Sequence, residues 1–120
     1  MEIKGEAKLL RIFCGTADKV NNIPLYEFLV YEAKREGLAG ATVLKGLIGY
    51  GATSRVHSAK FFELSEDLPV VVEIVDEAVK IDTFILSVTK HLENLKFGAL
   101  ITTEKINVIH YAPAKKAKNE

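Results

Sequence analysis

Apolar residues along this chain recur at two spacings, and the spacings alternate. Residues 7–14 (AKLLRIFC) have period two. Leu10, Ile12 and Cys14 fall on one side and Leu9, Arg11 and Phe13 on the other, which predicts a strand. Residues 15–23 form a connection holding the turn formers Asp18, Asn21 and Asn22. Pro24 suits the first turn of a helix, with Asn22 as its cap. Leu25, Phe28, Leu29 and Ala33 then recur at helical spacing, while Glu27, Lys34, Arg35 and Glu36 lie off that stripe. Gly37 sits where a left-handed residue stops a helix.

The run GLAGATVLKGLIGYGATS, residues 37–54, holds five of the eight glycines, and no helical stripe fits its apolar residues as well as a strand does. Residues 41–50 are expected to be one strand, carrying Val43, Leu44, Leu47, Ile48 and Tyr50. Gly46 weakens such a strand unless something approaches closely there. Residues 51–67 make a connection long enough to suggest function, in which Ala59, Phe61, Phe62 and Leu64 could extend a hairpin or dock on a neighbour. Residues 68–75 (LPVVVEIV) predict a strand buried on both faces, with Pro69 near its start. Asp76 is a candidate cap for a second helix striped by Ile81, Phe84, Ile85, Val88 and Leu92, with Lys90 and His91 in its last turns. A turn over 94–98 leads to residues 99–111, the last strand or pair of strands; 112–120 is a tail without core residues.

The order β-α-β-β-α-β predicts an α+β fold. It is the ferredoxin-like sandwich, an antiparallel sheet with two helices on one face. The chain reads as one domain, 1–120, with an ordered core of about 7–111. The other sheet face has no cover, yet apolar residues occupy both sides of the first three strands. Self-association is therefore expected.

Composition narrows the function. Apolar residues make up 48 % of the chain, enough for a core. Sixteen basic and sixteen acidic residues balance, which removes any charge-based case for nucleic acid or an anionic membrane. One cysteine, Cys14, excludes an internal disulfide framework and reads as a buried thiol. The start MEIKGEAKLL lacks the hydrophobic region of a secretion signal, and no apolar run approaches the ~18 residues of a membrane span. A soluble, cytoplasmic protein is expected.

The chemistry-bearing residues cluster at the end of the second strand. Gly49 and Gly51 flank Tyr50 and would let backbone N–H groups approach a phosphate or carboxylate; a strand end needing glycine for geometry is the plainer reading. Ser54, Arg55 and His57 follow, and Arg55 offers the planar fork that anions favour. Lys45 adds charge nearby. A solvated loop or a subunit contact would explain the same residues. His57, His91 and His110 share no metal-ligand spacing. Asp76-Glu77 and Glu66-Asp67 suit helix-cap and turn positions, and no nucleophile stands beside a base, so no enzyme activity is expected.

With these residues in view, PLYEFLVYEAKREGLAGATVLKGLIGYG (24–51) and LSEDLPVVVEIVDE (64–77) resemble a family of small PII-like proteins of unassigned function. More distantly, the chain is similar to PII signal-transduction proteins and to CutA-type divalent-ion tolerance proteins. The resemblance spans about 7–111. It implies a homotrimer packed through its sheets, with ligand clefts between subunits and an effector loop at 51–67. In PII proteins the clefts hold ATP or ADP, and the loop binds a membrane transporter, a channel or an enzyme. Three departures stand out. The phosphate-binding turn of PII is reduced to Lys96-Phe97-Gly98. Ile106, Val108 and His110 stand where PII places paired arginines. No tyrosine follows Tyr50 in the loop. The leading expectation is a trimeric regulator sensing an anionic ligand, an adenine nucleotide, at Lys45, Gly49, Gly51, Ser54, Arg55 and His57. A CutA-like metal-responsive trimer and a ligand-free scaffold are the alternatives.

Overall fold

The computed structural model describes residues 3, 5–50, 57–58, 68–93 and 99–113, with backbone only at 57–58. Strands β1 (Ala7–Gly15), β4 (Ala41–Lys45), β7 (Pro69–Glu77) and β8 (Leu100–Ile106) form one sheet in the order β4-β7-β1-β8. Every neighbouring pair is antiparallel. Helices α1 (Leu25–Arg35) and α2 (Ala78–Leu92) pack on one face, as the βαββαβ pattern predicts. Two small ribbons complete the fold: β2 (Lys19–Val20) with β3 (Ile23–Pro24), and β5 (Ile48–Gly49) with β6 (His57–Ser58). No helix among the described residues is long and apolar enough to cross a membrane.

The core lies between sheet and helices. Leu10 and Ile12 of β1 and Val72 and Ile74 of β7 meet Leu25, Leu29 and Ala33 of α1 and Ile81, Phe84 and Val88 of α2, all fully buried. Period-two alternation sorts these strand residues from their outward neighbours, and the helical stripes supply the facing layer.

Local geometry corrects several expectations. Asn22 does not cap α1. It and Asn21 take left-handed backbone (φ 68° and 49°) in a two-residue turn joining β2 to β3. Asparagine tolerates that conformation, and such turns match the twist of paired strands. Pro24 itself occupies the N-cap. At the other end of α1, Gly37 (φ 79°) closes a Schellman motif. Its N–H donates to Lys34 O and that of Leu38 to Ala33 O, and Leu38 is buried in the core.

The strand expected over 41–50 stops at Lys45. Gly46 N–H donates to Pro69 O at 2.7 Å, and a Cβ there would lie 2.9 Å from Pro69 Cγ. This is the close approach that a glycine inside a strand signals. The last strand ends at Ile106, so 107–111 is not part of it. Of the loop 51–67, only the β6 residues His57 and Ser58 are described. The expectations for Ala59, Phe61, Phe62 and Leu64, for the Glu66-Asp67 turn, for the turn over 94–98 and for the tail from 114 onward lie outside the described residues.

Candidate functional site

The sheet face without helices is zoned, and the strand register defines the zones. Phe13 pairs with Val71 and Leu100, and Leu44 pairs with Val71, so Leu44, Val71, Phe13 and Leu100 form one apolar row across four strands. Phe13, Leu44 and Leu100 are 40 %, 49 % and 58 % exposed, a contiguous apolar strip facing solvent.

The next row is polar: Thr42, Glu73, Arg11 and Thr102. Arg11 Nε donates to Glu73 at 2.8 Å and its Nη1 to Glu104 at 2.6 Å. These hydrogen bonds, to Glu73 first and then Glu104, raise the guanidinium pKa further above its ordinary value. Arg11 therefore stays charged, and one cation serves two carboxylates.

The third zone is a groove of about 420 Å³. Leu9 and Val75 line it, with Gly40 and Thr42 at the start of β4 and Glu73 at its polar side; Val108, His110 and Tyr111 border it from the segment after β8. Asp76 holds this end of β4 in place. It is 1 % exposed, and its Oδ2 accepts from Ala39 N–H at 2.9 Å while Oδ1 accepts from Glu77 N–H at 2.6 Å. The expectation that Asp76 caps α2 is therefore corrected. The N-cap is Glu77, whose side chain makes no capping hydrogen bond, and Asp76 joins the entry of β4 to the end of β7. Val70, Val72, Ile74 and Asp76 share one buried side of β7.

The residues expected at the loop base are less gathered. Lys45 is exposed at the end of β4. Gly49 lies in β5, where its backbone pairs with that of His57. A Cβ on Gly49 would lie 3.3 Å from Pro69 Cγ, a tight contact that the missing side chain avoids. Gly51, Ser54, Arg55 and the side chain of His57 lie outside the described residues, as do Lys96, Phe97 and Gly98. His91 makes an edge-on ring contact with Phe28, centroids 5.0 Å apart, which joins the two helices. Among the described residues, no three His, Cys, Asp or Glu side chains gather as a metal site. The groove was missed in sequence because its walls come from β1, β4, β7 and the segment after β8, which only tertiary pairing brings together.

Comparison with known proteins agrees with this fold. The model of the family DUF190, described as "Uncharacterized ACR", matches residues 7–108. A UPF0166 protein of Aquifex aeolicus is 42 % identical over 86 % of this chain and 93 % of its own length. A UPF0166 protein of Methanocaldococcus jannaschii is 35 % identical over 82 % of this chain and 89 % of its own. Among solved structures, CPII of Thiomonas intermedia K12, a nitrogen regulatory PII-like protein bound to ADP, AMP and bicarbonate, aligns with TM-score 0.62. It is 16 % identical, covering 90 % of this chain and 98 % of that one. A putative PII-like signaling protein of Thermus thermophilus aligns with TM-score 0.60 at 16 % identity, covering 84 % and 87 %. At these identities the structural likeness shows a PII-like fold.

Proposed function

The chain belongs to the DUF190 (UPF0166) family, and on that footing we propose that it is one subunit of a homotrimeric regulator. The trimer binds an adenine nucleotide between subunits and signals through residues 51–67. The observation that carries this reading is the zoned open face. Its apolar row is flanked by the groove at one end of β4 and by the loop base at the other. Thr42 and Lys45 are three residues apart, about 10 Å along a strand, and Gly49 lies beyond a bend. One copy therefore keeps its groove away from its own loop base. A cyclic trimer places different patches of neighbouring copies in contact. Burial of the apolar row would bring one copy's loop base against the next copy's groove.

In that cleft the two halves divide the work. Leu9 and Val75 offer an apolar surface to a base, and Thr42 and the backbone of residues 40–41 offer hydrogen bonds to its edge. Lys45, Arg55 and the backbone at Gly49 and Gly51, with Ser54 and His57, supply cations and donors for the phosphates. The ADP and AMP bound by CPII support the choice of ligand class. Binding would alter how residues 51–67 meet a partner, a transporter, channel or enzyme. The role is binding and signalling, not turnover.

Native mass spectrometry of the purified chain, with and without ADP, tests this reading. A trimer that takes up ADP, with uptake reduced by Arg55→Ala, is the expected result. A monomer at micromolar concentration, or a trimer that takes up no adenine nucleotide, refutes it.

A further inference from the structure

After β8 the chain turns across the open face. Ile106 is paired with Ala7 on the β8 side of the sheet, and five residues later Tyr111 reaches Ala39, which leads into β4 at the opposite edge. The Tyr111 hydroxyl donates to Ala39 O at 3.1 Å. Four strands are about 14 Å across, and five extended residues span about 17 Å, so the segment is just long enough to bridge the sheet.

Its two sides differ in how firmly they are held. Ala39 is anchored from below, because its N–H donates to buried Asp76. The strap is lightly seated: Ile109 is 91 % exposed, Asn107 and His110 are exposed, and Tyr111 is 37 % exposed. Val108 and Tyr111 nevertheless line the groove together with Leu9 and Val75, and about 420 Å³ stays empty with the strap in place. That lies within the range of about 300–1,000 Å³ for small-molecule sites. The strap thus forms one border of an open groove without filling it.

We infer that residues 107–111 are a lid over the groove, latched through Tyr111 to Ala39, which opens to admit a nucleotide base and grips it on closing. The inference rests on the reading that the groove takes a base. A flat base held among Leu9, Val75, Val108 and Tyr111 has apolar contact with both the sheet and the strap. Latch and ligand then support one another: the bound base adds contacts to a closed strap, and the closed strap slows the base's escape. A neutral, partly exposed hydrogen bond of this kind shifts an open–closed balance by about two- to ten-fold.

Tyr111→Phe in the full chain removes the hydroxyl and keeps the ring. ADP affinity is measured by calorimetry, and release is followed by stopped flow with a fluorescent ADP analogue. The expected result is binding about two- to ten-fold weaker, carried by faster release, with the unliganded chain still folding cooperatively. In the wild type, amides of 107–111 exchange more slowly once ADP is added. Unchanged affinity in Tyr111→Phe, tighter binding, or strap exchange indifferent to ADP overturns the lid while leaving the nucleotide reading intact. A wild-type chain that takes up no ADP overturns both.

Discussion

Replacing Asp76 tests the joint that shapes the groove. Its carboxylate is buried and accepts two backbone N–H groups, from Ala39 at 2.9 Å and Glu77 at 2.6 Å. Hydrogen bonds to a charged acceptor contribute about 1.5–3 kcal/mol each, and a buried donor left unpaired costs about 1–3 kcal/mol. Asp76→Ala loses both bonds but no longer buries a carboxylate, which offsets part of the cost. We expect a net loss of about 3 kcal/mol. Asp76→Asn keeps one acceptor oxygen and turns an amide NH2 toward the second donor, so about 2 kcal/mol is expected. Urea unfolding at fixed protein concentration reads the order wild type, then Asn, then Ala. Hydrogen exchange locates the effect, since the Ala39 amide should lose protection in both variants. If Asp76→Ala unfolds at the wild-type urea concentration, or the Ala39 amide stays protected, Asp76 is not the tie between β4 and β7.

Two further outcomes follow from the same geometry. Gly46→Ala places a methyl group 2.9 Å from Pro69 Cγ and 3.3 Å from Pro69 O, so the β4 end must shift. Overpacking of this sort costs about 1–3 kcal/mol, against about 0.4–1 kcal/mol regained from a stiffer unfolded chain. Thermal unfolding should show net destabilisation, larger than for Gly49→Ala, whose methyl group meets only the Pro69 ring; equal midpoints would contradict the close approach. Phe13→Asp puts a charge in the middle of the exposed apolar row while leaving the helix-side core untouched. Sedimentation should show dissociated subunits with unchanged far-ultraviolet circular dichroism, and an intact oligomer would mean that this row is not the interface.

Sequence alone determined the layers. The extended apolar runs around Leu10 and Val72 and the helical stripes through Leu29 and Phe84 follow one another in the order β-α-β-β-α-β, which leaves few arrangements besides this sandwich, whereas the structure decides which side of each strand is buried. Gly37 and Gly46 were legible for the same local reason, since backbone conformation and close approach demand glycine at those positions. Asp76 was misread as a cap because its identity suits a helix start, and only the structure shows that β7 buries one side, with Asp76 on it. Tertiary structure decided what sequence could not. Strand register brought Phe13 and Leu44 to the same residue, Val71, and set Arg11 between Glu73 and Glu104. It also carried Tyr111 across the sheet to Ala39. Arg11 is 62 and 93 residues from its two carboxylates, and Tyr111 is 72 from its acceptor. Periodicity tells which side chains share a face, and only the pairing of distant strands tells what that face meets.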